Sequence, residues 1–286
     1  MTSTSLPAPT GRVWFITGAS TGLGRAFAEQ ALDSGHSVVA TARDAARLAD
    51  LVALAPERVQ AVALDVDRPG AAEGAVGEAL ARFGRLDVVV ANAGFGSVGA
   101  VEETSDAELR AQMETNFFGA AAVIRAVLPT LRAQRSGAIV AVTSMGGQVS
   151  YPGFGSYCAS KFALEGLCEA LAGEVRGFGI KVMILEPGAF RTAFAGSALR
   201  HMPEMAAYAE VVGPTRAFAR GMDGTQMGDP RRAAAAVERA LAAETTPLRL
   251  QLGPDAIDAV RAHAEAMLAD MATWEALGRA TVYPAG

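Results

Sequence analysis

Short runs of Val, Ile, Leu and Ala alternate along this chain with longer amphipathic stretches. Val88-Val89-Val90 and Ile139-Val140-Ala141-Val142 are two such runs. A strand with one solvated face alternates apolar and polar residues, whereas a continuous apolar run suits a strand covered on both faces, hence a parallel sheet. Strands are predicted at 13–17, 37–41, 59–65, 86–92, 137–144, 181–186 and 248–252. Helical patterns lie near 23–34, 44–54, 70–83, 105–132, 156–176 and 230–243, and the last 30 residues read as one more helix and a tail. Repeated strand–helix alternation argues an α/β fold: a doubly wound parallel sheet of about seven strands with helices on both faces. The chain has 286 residues, 51% of them hydrophobic, and no composition break, so one domain over 1–286 is expected. Residues 1–11 read as a flexible tail. The segment 188–229 has no clear strand and reads as a substrate loop, with a helical lid near 190–228.

The charges are mixed, net −5, with no Lys/Arg block, which gives no support for nucleic-acid binding. No apolar run is long enough to span a membrane. The N-terminus lacks the basic-then-apolar pattern of a secretory signal. Cys158 and Cys168 are both predicted on one helix, which disfavours a disulfide, and two thiols with three histidines make no metal framework. A cytoplasmic protein without a metal is expected.

The stretch TGASTGLG, 17–24, joins the first strand to the first helix. In open parallel sheets, ligands collect beyond the C-terminal ends of the strands. Gly18 permits a tight turn, and Gly22 and Gly24 let the backbone approach a ligand and a neighbouring strand. The helix N-terminus that follows offers free N–H groups to a phosphate. A pyrophosphate is the expected occupant, although the G-x-x-x-G-x-G spacing differs from G-x-G-x-x-G, and an ordinary glycine-rich turn is the other reading. The second strand ends Thr41-Ala42-Arg43. An acidic residue there suits the 2′-hydroxyl of NAD and an arginine the 2′-phosphate of NADP. Ala42 brings no carboxylate, and Arg43 can form a charge-assisted contact with phosphate. A solvated arginine at a helix entry is the alternative.

Tyr157 and Lys161 are one helical turn apart on a stripe that continues through Leu164, Cys168, Leu171 and Val175. The far end of that stripe is core. A lysine on it needs a partner or an open cleft. A tyrosine titrates near 10, and an adjacent ammonium lowers that value, so the pair can deliver and recover a proton near neutrality. Ser144 ends the fifth predicted strand and Asn92 the fourth, at the same sheet edge as Thr17. Asn116 falls inside the predicted helix 105–132, where Asn is a mediocre former.

The combination TGASTGLG, Asp65-Val66, Asn92-Ala93-Gly94, Asn116, Ser144, YCASK (157–161) and PGAFRT (187–192) resembles the short-chain dehydrogenase/reductase family. The resemblance implies a Rossmann-type fold, bound NAD(H) or NADP(H), and hydride transfer to or from a carbonyl or alcohol. It implies Tyr157 as acid/base and Lys161 as the group that lowers its pKa and holds the nicotinamide ribose. Ser144 would polarise the substrate oxygen, and Asn116 would support a proton path near Lys161. The cofactor would be held by Gly18, Ser20, Thr21, Gly22, Leu23 and Gly24, by Asp65 and Val66 at adenine, by Asn92, Ala93 and Gly94, and by Pro187, Gly188, Phe190 and Thr192 at the nicotinamide end. With Ala42 and Arg43 the preference falls on NADP(H), NAD(H) remaining possible. An epimerase or dehydratase of the same family, or an NADP(H)-sensing protein without turnover, is the alternative function. The Met and aromatic residues Phe190, Phe194, Leu199, Met202, Met205, Tyr208, Phe218, Met222 and Met227 suit either a lipophilic substrate pocket or ordinary packing. Exposed Phe162 with Gly166 and Gly173 on the second long helix predicts a homodimer or homotetramer.

Overall fold

Four consecutive residues, Val13-Trp14-Phe15-Ile16, form an inner strand of the sheet, and all four are buried. Val13 and Phe15 pack into the core on one side of the sheet, Trp14 and Ile16 into the core on the other. The computed structural model describes residues 11–283, so the predicted tail 1–11 lies outside the described residues except for Gly11. In chain order the elements are β1 (Val13–Ile16), α1 (Gly22–Asp33), β2 (Ser37–Ala42), α2 (Ala49–Leu54), β3 (Val59–Ala63), α3 (Ala71–Phe83), β4 (Val88–Ala91), β5 (Gly96–Val98), α4 (Asp106–Met113), α5 (Ala120–Gln134), β6 (Gly137–Val142), α6 (Gly155–Val175), β7 (Ile180–Pro187), β8 (Leu199–His201), α7 (Ala209–Gly221), α8 (Pro230–Ala242), β9 (Arg249–Leu252) and α9 (Pro254–Arg279).

Seven strands form one parallel sheet in the order β3-β2-β1-β4-β6-β7-β9. Helices α3, α5 and α6 cover one face, α1 and α8 the other. The strand order reverses between β1 and β4, and a crevice opens there at the C-terminal strand ends, where such sheets bind ligands. The seven predicted strands are those of this sheet.

The structure differs from the sequence reading in three places. The single helix predicted at 105–132 is two helices joined by a π-helical turn, Glu114–Gly119, which carries Asn116. Ser105 caps the first, its hydroxyl accepting from the Glu108 amide at 3.2 Å. The stretch 44–54 is a 3₁₀ turn, Ala45–Leu48, followed by the six-residue α2. Asp44 caps that turn, accepting from the Ala46 amide at 3.0 Å. Finally, β5 and β8 pair in parallel as a second, two-stranded sheet. It ties the segment 188–229 back to the chain beyond β4, and α7 lies within that segment.

Candidate active site

Thr17 fixes the floor of the crevice. Its hydroxyl accepts from the Asn92 and Ala93 amides at 2.9 and 3.0 Å. The Asn92 side chain donates to the carbonyls of Thr17 and Gly18 at 2.8 and 3.3 Å. The glycine loop and the end of β4 are thereby stapled together. A Cβ on Gly24 would clash with the Gly18 carbonyl oxygen and lie 2.5 Å from the Asn92 amide nitrogen, so helix and loop approach as only glycine allows. Gly18 and Gly22 have φ of 65° and 60°, the left-handed region.

One cavity of about 810 Å³ runs over this floor. Of the predicted site residues, Gly18, Ser20, Thr21, Gly22, Leu23, Arg43, Asp65, Val66, Asn92, Ala93, Gly94, Ser144, Tyr157, Lys161, Pro187, Gly188, Phe190 and Thr192 all line it. Gly24 stands behind Gly18. Asn116 stands behind Gly94: it is buried, its Oδ1 accepts from the Phe95 amide at 3.1 Å, and its Nδ2 donates to the Phe95 carbonyl and the Ser160 hydroxyl, both at 3.0 Å. Ser160 in turn donates to the Tyr157 carbonyl at 2.7 Å.

Arg43 lies at one end of the cavity with Arg47, which the sequence reading did not single out. Neither guanidinium has a hydrogen bond or ion pair among the described residues. The carboxylates nearby are engaged: Asp44 in its cap, Asp67 with the Thr115 hydroxyl at 2.9 Å, and Asp65 near Arg68 at 3.7 Å. At the other end Tyr157 sits between Phe154 and Phe194, with ring centroids 6.3 and 5.5 Å away. From the Met/aromatic group, Phe190, Phe194, Leu199, Phe218 and Met222 line the cavity. Met202 is buried in packing, Tyr208 bonds Glu102, and Met205 and Met227 are exposed. Phe95, Tyr151, Phe154 and Asp255 also line the wall. Asp255, at the start of α9, accepts from the Ala189 amide at 2.7 Å and so holds the turn after Pro187. It follows the last strand by so few residues that an ordinary helix-start aspartate is all its sequence signals.

The Lys161 ammonium is buried and donates to the Val142 carbonyl at 2.9 Å. Desolvation lowers its pKa to about 8, opposed by Glu165. It lies 5.8 Å from the centroid of the Tyr157 ring. Tyr157 itself is pushed well above its ordinary value by desolvation, which a hydrogen bond with Ser144 only partly offsets. The sequence reading expected Lys161 to lower the tyrosine. In this geometry desolvation is the largest influence on the phenol, and the ammonium is engaged with a backbone carbonyl.

These features have counterparts in known proteins. The family model for short-chain dehydrogenases matches residues 12–203. The chain belongs to the short-chain dehydrogenase family. Two curated relatives are Oxidoreductase BOA17 of Botryotinia fuckeliana, 41% identical over 94% of this chain and 99% of that protein, and the 3-ketodihydrosphingosine reductase of Bacteroides thetaiotaomicron, 35% identical over 85% and 88%. Among solved structures, a short-chain dehydrogenase from Streptomyces avermitilis is 48% identical, with a TM-score of 0.90 over 95% of this chain and 100% of that one. A Burkholderia phymatum short-chain dehydrogenase in complex with NAD is 27% identical, TM-score 0.80, over 92% and 96%. An alcohol dehydrogenase from Thermococcus sibiricus complexed with 5-hydroxy-NADP is 29% identical, TM-score 0.70, over 84% and 95%. As a member of this family the short-chain dehydrogenase described here is an NAD(P)-dependent oxidoreductase acting on a carbonyl or alcohol. No helix among its described residues is long and apolar enough to cross a membrane.

Proposed function

We propose that this short-chain dehydrogenase uses NADP(H) in preference to NAD(H) and acts on the carbonyl or secondary alcohol of a lipophilic small molecule. The observation that carries this reading is the polarity of the cavity: two guanidinium groups without a partner among the described residues at one end, and Ser144 and Tyr157 among aromatic rings at the other. A nicotinamide dinucleotide fits the residues present, because the Gly18–Gly24 loop leaves bare backbone where a Cβ would clash. Arg43 and Arg47 would meet the 2′-phosphate, and Lys161, Pro187, Gly188 and Thr192 the nicotinamide half. The cofactor, when bound, supplies or accepts the hydride. Tyr157 gives a proton to the substrate oxygen in reduction and takes it back in oxidation. Its raised pKa keeps that proton in place at neutral pH, which suits the reductive direction. Ser144 holds the same oxygen, Asn116 fixes Gly94–Phe95 and Ser160 behind the site, and the segment 188–229 serves as the substrate lid. The relative named for reducing a sphingoid ketone supports a lipophilic substrate. A screen of lipophilic ketones and aldehydes for NADPH consumption tests the reading. Turnover of several is expected; none turned over, with NADPH bound, would leave the sensing alternative.

The cofactor choice has its own test. A charge-assisted contact contributes about 1.5–3 kcal/mol, roughly 10- to 150-fold in affinity. Arg43→Ala is therefore expected to weaken NADPH binding by about that factor and leave NADH binding nearly unchanged, by fluorescence titration. Ala42→Asp is expected to move preference toward NADH. Tighter binding of NADH than NADPH by the unaltered protein would overturn the assignment.

The same reading makes the protein a homodimer or homotetramer in the cytoplasm, where its buried free thiols Cys158 and Cys168 stay reduced. Phe118 and Phe162 are exposed on the two long helical segments, and nothing stands within 4 Å of where a Cβ on Gly166 or Gly173 would be. An exposed aromatic beside open, small-residue surface suits close helix packing across an interface. Sedimentation at micromolar concentration is expected to show a dimer or larger species; a monomer alone would count against it.

A further inference from the structure

Behind the site lies a buried polar cluster that the chemistry above does not use. Glu165 is one turn beyond Lys161 on α6, and Glu186 immediately precedes Pro187; both are buried. Glu165 Oε1 lies 2.7 Å from the Thr143 hydroxyl. Its Oε2 accepts from Gln148 Nε2 at 2.9 Å and Arg249 Nε at 3.0 Å. Glu186 Oε2 accepts from Gln251 Nε2 at 2.8 Å, while its Oε1 is 3.5 Å from Arg249 Nε and has no hydrogen-bond partner among the described residues.

The protons available do not satisfy two ionised carboxylates. The Thr143 hydroxyl has one proton, yet its oxygen lies 2.7 Å from Glu165 Oε1 and 2.9 Å from the Leu185 carbonyl oxygen. The Leu185 carbonyl already accepts from the Thr143 amide at 2.8 Å, so the hydroxyl proton goes to Glu165 Oε1, and the carboxyl left short of a proton is Glu186. Arg249 Nε–H also has one proton, taken by Glu165, which leaves Glu186 Oε1 buried without a donor. The rest of the guanidinium is drawn to Glu169, 2.5 Å from Nη2. Glu169 is exposed and draws on the half-buried Arg249, so the two buried carboxyls, Glu165 and Glu186, share a guanidinium that is already engaged elsewhere.

We propose that Glu165 and Glu186 share one proton and together act as positioning residues for the catalytic loop and the nicotinamide-side turn. Glu165 grips the chain on both sides of Ser144. It bonds Thr143 and Gln148, and a Cβ on Gly147 would lie 2.9 Å from its Cγ. Lys161, from the same helix, holds Val142. Glu186 and Gln251 fix the strand end from which Pro187 and Gly188 enter the cavity.

Burial, the largest influence on both groups, pushes Glu186 up to about 7 and raises Glu165 as well. The charged or titratable groups facing the pair are Lys161, Cys168 and Glu169 from α6 and Arg249 from β9. The two glutamates titrate as a unit. A raised pKa means that the folded protein holds a proton which the unfolded chain releases above the ordinary carboxylate value of 4.5. The pair's contribution to stability is therefore full below that value and falls as pH rises to about 7.

The test is thermal unfolding of the full chain at pH 5 and pH 8, with Glu186→Gln, an amide that stays neutral. Its melting temperature is expected to gain roughly 3–10 °C on the unaltered protein between pH 5 and pH 8. An equal difference at both pH values would mean an ordinary ionised partner of Arg249 and would overturn the shared proton. The infrared band of a buried protonated carboxyl, expected in the unaltered protein at pH 6 and lost at pH 9, tests the shared proton without a variant; its absence at pH 6 overturns the proposal. For positioning, which rests on the function proposed above, Glu165→Ala is expected to lower kcat about tenfold or more with NADPH affinity little changed, and Glu165→Gln to restore it. Gln as damaging as Ala would refute the neutral, positioning role. The unfolding and infrared arms need no substrate, so they stand even if the activity reading fails.

Discussion

Tyr157→Phe is expected to abolish turnover while NADPH still binds. The phenyl ring fills the place that Phe154 and Phe194 define around Tyr157, so the cavity keeps its shape. What is lost is the hydroxyl proposed to carry a proton to the substrate oxygen. General acid–base catalysis typically contributes 10²–10⁴-fold, so kcat is expected to drop by about that much. The KM for substrate and the NADPH dissociation constant are expected to change far less, because the removed interaction is made mainly in the transition state. On the role proposed for Tyr157, the phenol's environment also favours one direction. Desolvation holds it well above its ordinary value, so near neutrality it is a proton donor. Ketone reduction is then expected to proceed readily at neutral pH, whereas alcohol oxidation needs higher pH to free the phenolate. Lys161, lowered to about 8, stays charged through the neutral range. A Tyr157→Phe enzyme that retains more than about a tenth of the original kcat would show that the proton comes from elsewhere.

Much of this was legible in the sequence, for identifiable reasons. Continuous apolar runs such as Val88-Val89-Val90 can be buried on both faces, and they are, with Val88 and Val90 in one core and Val89 in the other. TGASTGLG and YCASK carry their chemistry in local spacing, and the sheet edge gathers their side chains into one cavity. What depends on distant pairing was not legible. The three-residue strands β5 and β8 are too short to show periodicity, and Gly96 is admitted there because a Cβ would lie 2.7 Å from the Phe194 ring. The π-helical turn at Glu114–Gly119 follows from where the Asn116 amide finds its partners at Phe95, 21 residues away. Glu186 sits in a run, Ile184-Leu185-Glu186-Pro187, that reads as a strand end, and its partner Arg249 is brought alongside only by the pairing of β7 with β9. What the Lys161 ammonium engages was not legible for a related reason. The i,i+4 spacing places the two side chains on one face but does not reveal that the ammonium is taken up by Val142.

Arg216→Leu is expected to cause the largest loss of stability, and it bears on whether the segment 188–229 is a lid or a fixed wall. Arg216, on α7, and Glu103, beyond β5, are an ion pair 2.6 Å apart with side chains 3% and 1% exposed. The pair is fully used. Arg216 also donates to the Met202 carbonyl at 2.8 Å, and Glu103 accepts from the Ala100 and Met205 amides at 2.6 and 2.7 Å. Those amides, the Met205 one foremost, hold the Glu103 carboxyl below the ordinary carboxylate range. It is therefore ionised at neutral pH, and its stabilisation is lost only as pH falls through that lowered value. Leucine would leave this charge buried without a counter-ion, at a cost of about 3–5 kcal/mol. The melting temperature is expected to drop by roughly 10 °C or more. A second change, Glu103→Gln, removes the stranded charge, so the double variant is expected to melt above Arg216→Leu alone, with a coupling of about 0.5–3 kcal/mol. The pair also pins α7 against the two-stranded sheet at the aromatic end of the cavity. Loosening it is expected to raise the KM for a lipophilic substrate while the affinity for NADPH, whose proposed contacts are the glycine loop and Arg43, stays close to that of the unaltered protein. An Arg216→Leu protein that melts at the original temperature would mean that the buried pair contributes nothing. One that loses stability without any change in KM would mean that this helix supports the fold but does not shape the substrate end.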